Sequence, residues 1–94
     1  MSHAQEILEA VAKIIKQKGE RAVFTRNQVR KTIGLDRDEW LQGYTAIFQA
    51  MREDHPGRAP VIGEKYKGVF KRIAYGKYVL TQKGKKVLKG LGLI

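Results

Sequence analysis

Ten cationic residues follow Asp54: Arg58, Lys65, Lys67, Lys71, Arg72, Lys77, Lys83, Lys85, Lys86 and Lys89. One acid, Glu64, accompanies them. Residues 55–94 therefore carry a net +9, while residues 1–54 hold nine bases against eight acids and carry +1. Charge of one sign gathered on so short a segment repels itself until an anion neutralises it. The chemistry it suits is phosphate binding. With a pI of about 10.1, the composition fits the basic footprint of a nucleic-acid-binding domain.

Other chemistry finds little support in the residue types. The chain has no cysteine, which excludes disulfides, thiolate metal sites and cysteine nucleophiles. Ser2 is the single serine, so a serine triad is not expected. His3 and His55 are the two histidines and share no ligand spacing; Glu53-Asp54-His55 reads as a helix end rather than a metal site. In Glu64-Lys65-Tyr66-Lys67, Tyr66 stands where the acid-x-Lys element of metal-dependent nucleases needs its lysine. Gly63 and Gly68 match neither glycine pattern of the nucleotide folds. An enzyme is not expected, nor is a metal or cofactor.

Length sets the frame for positioning these groups. Ninety-four residues make one domain, 1–94, with a single core and no room for a deep catalytic cavity beside it. No apolar run approaches the ~20 residues that span a bilayer. Glu6 and Glu9 interrupt the short apolar stretch near the start, which argues against a secretory signal. The expected location is the cytoplasm, with nucleoid association if the source is prokaryotic.

The first element is an amphipathic helix with Ile7, Leu8, Val11, Ile14 and Ile15 on one side and Lys13 and Lys16 opposite. Ser2 and Gln5 suit a capping box at its start, and Gly19 its stop. Ala22-Val23-Phe24 predicts a short strand. Thr25 with Gln28 predicts a second helix start, buried through Val29 and Ile33 and ended by Gly34. Asp36 with Glu39 opens a third helix, expected to run to about Asp54, where His55-Pro56-Gly57 stops it. On it Trp40, Tyr44, Ile47, Phe48 and Met51 fall in one sector and must face a core. Val69–Ile73 and Tyr78–Leu80 predict a hairpin around Ala74-Tyr75-Gly76-Lys77, and Thr81 caps a short basic helix through Val87 and Leu88.

This order, with Gly34-Leu35 alone between the second and third helices, resembles a winged helix-turn-helix domain of the α+β class. Tyr78-Val79-Leu80-Thr81-Gln82-Lys83-Gly84, followed by Val87 and Leu88, is similar to the Y-x-L-T-x-x-G-x-x-x-L close of many winged-helix regulators. The resemblance covers about Ala4 to Leu88. It departs from that pattern between His55 and Gly68, where Arg58–Lys67 forms either an extra strand or a long loop.

The resemblance implies a protein that binds double-stranded DNA, as a transcriptional regulator or chromatin-type factor. The third helix would enter the major groove, and a basic wing would reach the backbone or minor groove. On the helix face opposite the aromatic stripe, Gln42, Thr45, Gln49 and Arg52 are the base-reading candidates, since Gln pairs with adenine, Arg with guanine and the Thr methyl with thymine. A solvated helix face would be equally polar. Arg26, Arg30, Lys31 and Arg37 are phosphate candidates around the second helix and the start of the third. Lys71, Arg72, Tyr75 and Lys77 surround the wing tip, where edge protection by Lys is the competing explanation. Lys83, Lys85 and Lys86 oppose the dipole of the last helix, which phosphate binding or solubility would account for. RNA or ribonucleoprotein binding is the alternative, and a protein-interaction module within a nucleic-acid machine is the third reading. Leu91, Leu93 and Ile94 would close the core, fray, or pair two subunits as a homodimer.

Overall fold

Helix α1 (His3–Lys18) is buried on more than one side. Ile7, Leu8, Val11, Ile14 and Ile15 form the expected stripe, and Ala4, Ala10 and Ala12 are buried with them. Small alanines beside the stripe let several neighbours approach, and α1 packs against the next helix and both parts of the third helical region. The computed structural model describes residues 3–19, 21–53 and 66–94. The proposed cap at Ser2, the His55-Pro56-Gly57 stop and most of the 55–68 segment lie outside them.

The second helix, α2 (Arg26–Ile33), opens on the expected capping box. The Gln28 N–H donates to Thr25 Oγ1 at 3.1 Å, and the Thr25 N–H donates to Gln28 Oε1 at 2.8 Å. Gly34 ends it in the left-handed conformation. Asp36 and Glu39 repeat the reciprocal pattern, at 2.7 and 3.1 Å, to start the single turn α3 (Arg37–Glu39).

The uninterrupted third helix does not form. After α3 the chain enters a π turn, Trp40–Tyr44, and resumes as α4 (Thr45–Ala50). Within that turn Gln42 (φ −84°, ψ 57°) and Gly43 (φ 106°, ψ −29°) leave helical geometry. Gly43 permits this because it has no Cβ to oppose a positive φ. The space beside it is filled from α1: the His3 ring stacks on Tyr44 with centroids 3.9 Å apart, and a Cβ on Gly43 would lie 3.4 Å from that ring. Despite the break, the aromatic stripe reaches the core. Trp40, Phe48 and Met51 are buried, Tyr44 and Ile47 are half-buried, and the Trp40 ring lies 5.9 Å from Tyr44 and 6.0 Å from Phe48.

Among the described residues, Ala22-Val23-Phe24 does not form a strand. Phe24 makes a single bridge there, exchanging two 2.9 Å hydrogen bonds with Tyr78, and the next residue already caps α2. The hairpin itself forms as β1 (Phe70–Ala74) and β2 (Lys77–Leu80), antiparallel, with Phe70 opposite Leu80 and Arg72 opposite Tyr78. Its register shifts at Ile73. Along the other edge of β1, Arg52 bridges Phe70 in parallel, and the Glu53 N–H donates to the Phe70 carbonyl at 2.7 Å. Both edges of the hairpin base are thereby tied to the helical part. Its core-facing rings interlock there: Phe48 lies 5.0 Å from both Phe70 and Tyr78, and Phe24 lies 5.3 Å from Phe70.

Helix α5 (Gln82–Gly90) closes the domain. Thr81 Oγ1 accepts from the Gly84 N–H at 3.0 Å and donates to the Gly68 carbonyl at 2.6 Å. Gly84 is required by proximity, since a Cβ there would sit 2.3 Å from the Val69 carbonyl oxygen. Leu88 is fully buried behind it. The tail folds back: the Leu93 N–H donates to the Leu88 carbonyl at 2.9 Å, and Leu93 and Ile94 pack on the core while Leu91 stays exposed. The described residues thus form a small α+β domain of four helices, a hairpin and a C-terminal helix.

Candidate nucleic-acid interface

Three separately built elements converge on one open groove of about 500 Å³. From α2 come the cap residue Thr25, then Arg26, Asn27 and Arg30. From the third helical region come Arg37, Trp40, Leu41 and Thr45, and from the hairpin tip Tyr75, Gly76 and Lys77. Among the described residues that line it, four are cationic and none is acidic. A concave surface with charges of one sign concentrates its field and favours an anion. The first turn of α2 also lies here, where backbone N–H groups lack intrahelical partners and the helix dipole favours negative charge.

Each wall has an identifiable support. The Arg30 Nη1 donates to the Leu35 carbonyl at 2.9 Å while the Leu35 N–H donates to the Arg30 carbonyl at 3.1 Å, which fixes the bend between α2 and α3. The buried Arg30 Nε has no hydrogen-bond partner among the described residues, so this guanidinium is not saturated by the fold. Thr45 donates to the Trp40 carbonyl at 3.4 Å across the π turn. At the hairpin tip Tyr75 is 87% exposed, with the Arg72 guanidinium 5.5 Å over its ring. Lys77 faces Ala74 across the turn.

The sequence candidates divide accordingly. Arg26, Arg30, Arg37, Thr45, Tyr75 and Lys77 line the groove. Lys71 and Arg72 are exposed on β1, next to the tip but not in the lining. Gln42 sits on the non-helical part of the π turn and leaves the face of Thr45, whereas Gln49, half-buried like Thr45 and four residues beyond it on α4, keeps that face but does not line the groove. Arg52 is turned to the hairpin base, its guanidinium 6.0 Å from the Tyr78 ring. Lys31, in the last turn of α2, and Lys83, Lys85 and Lys86 on α5 do not line the groove.

Sequence reasoning missed Asn27, the contribution of the buried Trp40 to the groove wall and above all Leu41. The signal for Leu41 was present: a large apolar residue outside the aromatic sector, two positions before a glycine. It is 68% exposed. On the opposite side of the π turn, the Tyr44 hydroxyl donates to Glu6 Oε2 at 2.5 Å. That hydrogen bond, then partial burial and the negative charge of Glu6 and Glu39, push the Tyr44 pKa up to about 12. Among the described residues, no group of three or more His, Asp or Glu side chains could hold a metal, and no helix is long and apolar enough to cross a membrane.

Comparison with protein-family models, with curated proteins and with solved structures gives no match to this chain. The groove and its residues therefore carry the functional argument by themselves.

Proposed function

We propose that this chain is a winged-helix domain that binds double-stranded DNA, in transcriptional regulation or chromatin organisation. The observation that carries the reading is the convergence of Arg26, Arg30, Arg37 and Lys77, from three elements, on one groove without an acidic lining residue. The element order supports it: two helices joined by a tight Gly34-Leu35 bend, then a hairpin whose base is tied to the helices through Phe24 and Arg52.

In this account the groove cations and the first turn of α2 receive backbone phosphates. Lys71 and Arg72 extend that contact along the hairpin, and the α5 lysines add affinity without direction. Thr45 is the base-facing residue that remains in the groove. With Gln42 off the helical face and neither Gln42 nor Gln49 in the groove lining, binding is dominated by phosphate contacts and its sequence preference is modest.

Fluorescence anisotropy with a labelled duplex, titrated across salt concentrations, tests the proposal. The expected result is a linear fall of log K with log salt, each phosphate contact contributing about −0.9 to the slope on B-DNA. A flat salt dependence overturns it. Tighter binding to an RNA duplex of the same sequence would transfer the groove to RNA.

A further inference from the structure

The groove holds more than charge, and its apolar part has no role in gripping a duplex backbone. Leu41 is 68% exposed and Tyr75 is 87% exposed, and these two large side chains project from separate elements into the lining of one concavity. Neither is used by the core. Exposed leucine in a cationic groove is a poor surface for phosphate and a good one for the face of a nucleobase. Volume sets the scale of the occupant. At about 500 Å³ the groove lies within the range of small-molecule sites, roughly 300–1,000 Å³. That is the scale of a single nucleotide, so a duplex meets the groove with its backbone and does not fill it.

Resting on the proposed duplex-binding reading, we infer that the groove seats one unpaired nucleotide displaced from the helical stack. Its base lies against Leu41 and Tyr75, and its flanking phosphates meet Arg26, Arg37 and Lys77. Every base has a π face, so stacking on Tyr75 is tolerant of sequence. The Asn27 amide supplies a donor and an acceptor at the lining for a base edge, and the Thr45 hydroxyl, whose proton goes to the Trp40 carbonyl, supplies an acceptor. Arg72, 5.5 Å over the Tyr75 ring, steadies the aromatic and adds cationic character beside the base. Displacing a base costs least where it is already mismatched or bulged. The DNA class that fits is therefore a duplex interrupted by an unpaired nucleotide.

The test compares two labelled DNA duplexes that differ by one bulged 2-aminopurine nucleotide, using parent protein, Leu41→Ala and Tyr75→Ala. Both replaced side chains are exposed, and thermal melting checks that each variant folds. The parent is expected to prefer the bulged duplex by about 5-fold or more, the lower end of what one base–aromatic contact supplies. 2-Aminopurine fluorescence is expected to change on binding as the base leaves its stacked neighbours. Each variant is expected to bring the bulged-to-matched affinity ratio close to one. Equal affinity of the parent for both duplexes overturns this inference and leaves the proposed function standing. A ratio that persists in both variants overturns it too. No binding to either duplex defeats the proposed function itself.

Discussion

Replacing Lys77 by alanine isolates one phosphate contact with little cost to the fold. Lys77 is exposed at the start of β2, and surface substitutions of this kind usually change stability by within about 0.5 kcal/mol. Four cations line the groove, and on the proposed reading each holds a phosphate. At about −0.9 per contact the groove alone gives a slope of about −3.6, and Lys77→Ala reduces it to about −2.7. Between about 50 and 200 mM salt, these slopes correspond to affinity losses of about 150-fold for the parent and about 40-fold for the variant. Contacts from Lys71, Arg72 and the α5 lysines steepen both curves equally, so the difference of about 0.9 is the quantity to measure. Anisotropy titrations at four or five salt concentrations resolve it. Arg37→Ala is expected to give the same decrement, and the double variant twice as much. Arg30 is a poorer choice, because its Nη1 also holds the Leu35 carbonyl. A Lys77→Ala slope equal to the parent's would refute the reasoning, even if affinity fell at one salt concentration.

Two further expectations concern the fold that carries the groove. Gly84→Ala places a methyl 2.3 Å from the Val69 carbonyl oxygen, which must push α5 away from β1. Overpacking of this kind costs about 1–3 kcal/mol, partly offset by the better helix propensity of alanine; a melting temperature at or above the parent's would show that the close approach is not real. Tyr44→Phe removes the hydrogen bond to Glu6. Because the folded pKa of Tyr44 is raised from 10.0 to about 12, its neutral form contributes stability that is fully present below pH 10 and lost as pH rises to about 12. Alkaline unfolding of the parent is expected to contain that step and Tyr44→Phe to lack it, and identical pH profiles would exclude the linkage.

Local chemistry was the legible part of this chain. The Thr25/Gln28 and Asp36/Glu39 pairs and the Thr81 cap each announce a helix start within four residues of sequence, and all three form the expected hydrogen bonds. The motif Tyr78-x-Leu80-Thr81-x-x-Gly84-x-x-x-Leu88 also has a spatial meaning. It comprises two buried strand residues, a cap, a glycine forced by the Val69 carbonyl, and a buried helix anchor. What escaped depends on distant neighbours. A lone glycine within an amphipathic pattern is usually tolerated by a helix. At Gly43 the chain instead takes a positive φ, and His3, forty residues earlier, packs beside it and stacks on Tyr44. Likewise Val23 has strand propensity but no strand partner among the described residues, and the chain turns into the Thr25 cap one residue after Phe24.

The break changes how the candidate site works. A straight third helix would have aligned Gln42, Thr45 and Gln49 at helical spacing and offered a reading edge. The π turn instead takes Gln42 out of helical geometry, and of the three it is Thr45 that joins Leu41 in the groove lining opposite the hairpin tip. The same turn is anchored from beneath, because Trp40 is both a groove wall and a core residue stacked towards Tyr44 and Phe48. Tyr44 in turn rests on His3 and is held by Glu6, both from the first turns of α1. Groove shape therefore depends on packing on the far side of the turn, transmitted through Trp40, as well as on the residues that line it. It follows that a change at His3 or Glu6, neither of which lines the groove, is expected to alter ligand affinity through the position of Leu41. A change at Lys31 or Lys86 alters only the surrounding charge.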